Sequence, residues 1–99
     1  MNIAGYDYTL KSAPSQEDGG MDDLGRLHLG KQIIIVDTDT HTQQQETTVV
    51  HEIFEALNFH YELKLPHNQI SILETGWYQV LKSLGMDTSL LTKELRDGV

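Results

Sequence analysis

The chain contains no cysteine. Disulfides and thiolate metal sites are therefore excluded, and any bound metal must be held by histidine, aspartate or glutamate. Basic residues are scarce: seven Lys and Arg stand against 15 Asp and Glu, for a net charge of −8. The basic residues are scattered singly, which argues against the clustered cationic surface that nucleic acids or anionic membranes require. No apolar run approaches the ~20 residues of a membrane span. The opening stretch MNIAGYDYTLK lacks the basic-then-apolar order of a secretory signal. The expectation is a soluble protein of the cell interior. At 99 residues with 38% hydrophobic content, the chain suits one small domain with a modest core. A bound metal or a partner chain would help to stabilise a domain of this size.

The hydrophobic pattern then predicts the elements. Residues 3–11 alternate loosely, with Tyr6, Tyr8 and Leu10 on one parity, as in a strand. Residues 12–25 are turn-rich and acidic, a loop. Residues 26–29 and 32–37 read as two strands around a tight turn at Gly30-Lys31. The β-branched run Ile33 to Val36 marks a central or helix-covered strand. Thr42 and Gln45 form a potential capping box ahead of a helix over about 43–62. Its apolar face is Val49, Val50, Ile53, Phe54, Leu57 and Tyr61. Lys64-Leu65-Pro66 breaks that helix. A second follows over about 67–84, with Ile70, Leu73, Trp77, Val80, Leu81 and Leu84 as its core stripe and Gly85 as its C-terminal cap. Asp87 or Thr88 can cap a last short helix over about 89–96. The fold class is α+β: a single domain, residues 1–99, in which a small antiparallel sheet of about three strands packs against a helical hairpin.

Within the first helix the stretch TVVHEIFEALN, Thr48 to Asn58, carries the chemistry. His51 and Glu55 are four residues apart, so they lie on one helix face and can converge on one ion. Glu52 is rotated by about 100° and flanks that stripe, where a general base would stand beside a metal-activated water. A catalytic zinc takes three protein ligands and keeps one position open. Glu74, His67 and His60 are the candidates for the third. If the two helices run antiparallel, His67 falls near Tyr61 and Glu74 returns to the level of Glu55. The Glu55–Glu74 interval resembles the spacing between the metal-binding helix and the distant glutamate of gluzincin peptidases. A carboxylate between Leu73 and Trp77 is costly to bury without a partner. Tyr78, one turn from Glu74, and His28 are candidate donors to an oxyanion. Asn58 is a polar-face residue or a hydrogen-bond support for the ligands. His28 and His41 otherwise read as exposed histidines. Taken alone, a His-Glu-x-x-Glu string is a weak signal, since Glu and His are ordinary on the polar side of an amphipathic helix.

Lys31-Gln32-Ile33, Thr48 to Asn58, Leu65 to Asn68 and Trp77-Tyr78-Gln79-Val80-Leu81 together resemble a family of small zincin-like metallopeptidases of bacteriophages and prophages. The likeness spans about residues 31–84. It implies His51 as a ligand, Glu52 as the base, position 55 as a ligand, and a cytoplasmic setting in the bacterial host. This chain departs from the family at position 55, where glutamate replaces histidine. A carboxylate there lowers the charge left to acidify water and makes manganese or another hard cation competitive with zinc. The implied function is a small zinc metallopeptidase acting on a peptide or protein substrate. The Ile33–Val36 strand would receive an extended substrate along a free edge. The alternatives are a non-catalytic phage accessory or interaction module that keeps the scaffold, and an oligomer joined by its helical hairpin through Trp77. Neither nucleic acid nor membrane is an expected partner.

Overall fold

A computed structural model describes residues 1–13 and 25–97 of the chain. Most of the expected acidic loop over residues 12–25 lies outside the described residues. The fold is α+β, as the patterning predicts, with two small sheets and three α-helices among the described residues.

The N-terminal strand expected over 3–11 is divided. Asn2–Ile3 (β1) and Tyr6–Asp7 (β2) pair as a small antiparallel hairpin. Its turn, Ala4-Gly5, has both residues at positive φ, and the Asn2 side chain accepts from the Gly5 amide at 3.2 Å. Thr9–Ala13 (β3) then joins a second sheet. The division places Ile3, Tyr8 and Leu10 in the core while Tyr6 stays outside.

Gly25–His28 (β4) and Ile33–Asp37 (β5) form the expected hairpin. The turn at its tip spans Leu29 to Gln32, with Gln32 in the left-handed region. The expectation of a wholly antiparallel sheet is corrected. The order is β3-β5-β4, with β3 parallel and β4 antiparallel to β5. β5 is thus central, and its Ile34 and Val36 are fully buried. Both of its edges are paired, so it has no free edge for a substrate, and among the described residues β4 is an edge strand beside α1.

Thr42–His60 (α1) packs on β4 and β5. The expected capping box does not form: the cap residue is His41, without a side-chain cap bond. Thr42 is already helical, and the Gln45 side-chain Nε2 donates instead to the Thr40 carbonyl at 2.9 Å. Val49, Val50 and Ala56 are buried as the helix core, whereas Tyr61 is 62% exposed because the helix has ended beneath it.

Helix α1 closes in a Schellman arrangement. The Leu63 amide donates to the Asn58 carbonyl at 3.0 Å across Glu62, which sits at φ 52°. His67–Ser83 (α2) then runs antiparallel to α1. Glu46 meets Tyr78, His51 meets Glu74, and Asn58 meets the Leu65 backbone. Gly85, at φ 73°, and the Met86 amide bonded to the Leu81 carbonyl cap α2 as expected.

The core stripe predicted for α2 is corrected. Leu73, Trp77, Val80 and Leu84 are exposed, and the inward face is Ile70, Glu74, Tyr78 and Leu81. Polar atoms on that face find partners on α1, so it is buried without being wholly apolar. Asp87 accepts from the Ser89 amide at 3.1 Å and caps a 3₁₀ turn, Thr88–Thr92, which continues into Lys93–Asp97 (α3). Among the described residues, no helix is long and apolar enough to cross a membrane.

Candidate metal centre

One turn of α1 presents His51 and Glu55 on the same side. His67, the first residue of α2, faces them from across the hairpin. Its ring lies 4.8 Å from that of His51 at an angle of 62°. One ligand atom from each of His51, Glu55 and His67 lies within 4.8 Å of the others. Tetrahedral zinc with bonds of about 2.0–2.2 Å sets its donors about 3.4 Å apart. The widest pair therefore has to close by at most about 1.4 Å, within the reach of side-chain rotation at exposed His67. Two imidazoles and one carboxylate are a recognised donor set for catalytic zinc, so the residues fit the ion.

Glu74 reaches the same place in another capacity. Its Oε1 lies 2.8 Å from His51 Nδ1, and both side chains are largely buried, at 16% and 17% exposure. A carboxylate on Nδ1 fixes the ring and its tautomer and leaves Nε2 for an ion, the usual support of a ligating histidine. The antiparallel crossing sets Glu74 level with His51, one turn beyond the Glu55 level expected from spacing.

Glu52 is 6% exposed and lines the same cleft. The cleft holds about 710 Å³ and runs between α1, the start of α2 and the edge strand β4. Gly25 sets that strand's distance. A β-carbon there would overlap Thr48 Cγ2 and stand 3.6 Å from Glu52 Cγ. Only glycine lets β4 lie this close to the helix that carries the site.

The remaining candidates lie elsewhere. His60 Nε2 is 2.6 Å from the Tyr8 hydroxyl, and its ring stacks on Tyr6 at 4.4 Å. His60 therefore joins the N-terminal hairpin to α1 and is not grouped with His51. The Tyr78 hydroxyl donates to buried Glu46 at 2.7 Å and does not line the cleft. Burial, then the bond to Glu46, holds that phenol above its ordinary pKa. Asn58 borders the cleft, but its amide is committed to Leu65, accepting from the backbone N–H at 2.9 Å and donating to the carbonyl at 3.1 Å. His28 is exposed at the end of β4, and His41 is exposed at the start of α1.

Sequence reasoning missed the β4 wall. Arg26 is the one Lys or Arg among the residues lining the cleft, with Leu27 and Leu29 beside it. The available signal was Gly25 at the head of a strand, a common mark of close backbone approach. Compared with protein-family models, with curated proteins and with solved structures, the chain matches none of them.

Proposed function

We propose that this protein is a metal-dependent hydrolase, a small zinc peptidase of cytoplasmic setting. The observation that carries the reading is the convergence of His51, Glu55 and His67 in a cleft that buried Glu52 also lines. His51, Glu55 and His67 hold the ion, and Glu74 keeps the His51 ring turned toward it. When bound, the ion supplies Lewis acidity to a carbonyl and acidifies water in its shell. Glu52, one residue along from His51, takes the proton from the attacking water and returns it to the leaving amine. Strand β4, an edge strand among the described residues, would offer backbone groups to an extended peptide, and Arg26 adds a positive charge to a cleft that Glu52, Glu55 and Glu74 also line.

With Glu74 engaged on His51, two nitrogens and one oxygen remain as donors, which favours zinc over manganese. A second reading, a non-catalytic interaction module built on the same scaffold, is favoured by the exposed apolar stripe on α2.

Calorimetric titration of tag-free, metal-stripped protein with zinc and with manganese tests the site. One zinc ion per chain is expected, with binding abolished in His51→Ala. Glu52→Gln retains the ion and loses hydrolysis of an unstructured protein substrate. Absence of saturable metal binding by the wild-type chain would end the hydrolase reading.

A further inference from the structure

The outer side of α2 carries large apolar side chains that nothing covers among the described residues. Leu73, Trp77, Val80 and Leu84 are 50%, 50%, 46% and 70% exposed. Steps of four, three and four residues keep them within about 60° of one another on a helix turning 100° per residue. They form a seam about a quarter turn from the inward face of Ile70, Glu74 and Tyr78.

Two features of this seam indicate what covers it. The first is its spacing, which reads the same in both directions. If a second α2 lies antiparallel across it, Leu73 falls opposite Leu84, and Trp77 opposite Val80. A two-fold axis between Trp77 and Val80 thus sets a large side chain against a small one and leucine against leucine. An isologous interface requires self-complementarity of this kind, and the 4-3-4 spacing is that of a coiled-coil seam.

The second is charge. The chain carries −8, yet Glu74 and Lys82 are the only Asp, Glu, Lys or Arg residues of α2, and His67, at its first position, lies at the cleft. Glu74 is turned inward to His51, and the Lys82 ammonium lies beside Thr88 and the Tyr78 ring. Gln69, Gly76 and Ser83, which flank the seam, are uncharged. Two copies can meet on this face without opposing acidic side chains, and Gly76 adds no bulk beside it.

We propose that α2 pairs antiparallel with α2 of a second copy of this chain, giving a closed two-fold dimer with both clefts left open. The inference does not depend on the metal-site reading.

Analytical ultracentrifugation over a concentration series tests it on the full chain. The expected mass at high concentration is twice the 11.2 kDa of one chain. Trp77 is the sole tryptophan, so its emission moves to the blue as the dimer forms. Val80→Glu, at an exposed position, keeps the circular dichroism of the wild type but stays monomeric with red-shifted emission. Leu73→Cys with Leu84→Cys cross-links into a dimer on oxidation, since the two sites are about 16 Å apart within one helix and cannot bridge there. Each single cysteine cross-links poorly. A wild-type chain that is monomeric throughout, a dimer indifferent to Val80→Glu, or single cysteines that cross-link as well as the pair would each overturn the proposal.

Discussion

His51 bonds to a carboxylate through Nδ1, and the residue lines the cleft. That geometry leaves two roles for Glu74 to be separated. If it is an orienting group, Glu74→Ala lowers zinc affinity by about 10–100-fold and leaves one ion bound per chain. If His67 is a ligand as proposed, His67→Ala weakens binding well beyond that. Competition against a chromophoric chelator measures both on one scale. A loss in Glu74→Ala as large as that in His51→Ala would make Glu74 a ligand instead. The sequence made His51, Glu52 and Glu55 visible because a helix fixes neighbours at i, i+1 and i+4 without knowledge of the rest of the fold. It left the choice among His60, His67 and Glu74 open. That choice depends on how α1 and α2 cross, and on the N-terminal hairpin, whose Tyr6 and Tyr8 engage His60.

At the scale of elements, the two long helices end in the same hydrogen-bond motif with opposite local fitness. Gly85 closes α2 at φ 73°, a conformation that costs glycine nothing; Glu62 closes α1 at φ 52°, where a β-carbon is strained. Glu62→Gly is therefore expected to stabilise the protein by about 0.5–1 kcal/mol, and Gly85→Ala to destabilise it by about 1 kcal/mol. Urea unfolding with an unchanged slope reads both. The Gly85 end was legible because glycine announces it, and the Glu62 end was not. The inward face of α2 was obscured for a related reason. Hydropathy favours the apolar seam of Leu73, Trp77, Val80 and Leu84. The buried face instead carries Glu74 and Tyr78, each matched by a polar group on α1, and such matching cannot be read from one helix alone. The parallel pairing of β3 with β5 was likewise hidden. Strand patterns give the faces, whereas the partner of a strand is set by long-range packing.

For the molecule as a whole, two buried phenols hold separate parts together. Tyr8 anchors the N-terminal hairpin against His60, and Tyr78 anchors α2 against Glu46. Burial raises the pKa of both above the ordinary tyrosine value of 10.0, with Tyr6 adding to the effect at Tyr8 and the Glu46 bond adding to it at Tyr78. A pKa higher in the folded than in the unfolded state means that the unfolded chain releases these protons first. The contribution to stability is complete below pH 10 and is lost as the pH climbs from there through the folded-state values. A chain already at −8 gains further negative charge over the same range. Thermal unfolding followed from pH 8 upward is therefore expected to show a flat melting temperature to about pH 10 and a fall beyond it. Tyr8→Phe and Tyr78→Phe each lower stability at neutral pH by removing a hydrogen bond worth about 1 kcal/mol. Each should also make the alkaline fall shallower. A fall of unchanged steepness in both variants would place its origin in overall charge repulsion rather than in these two hydroxyls.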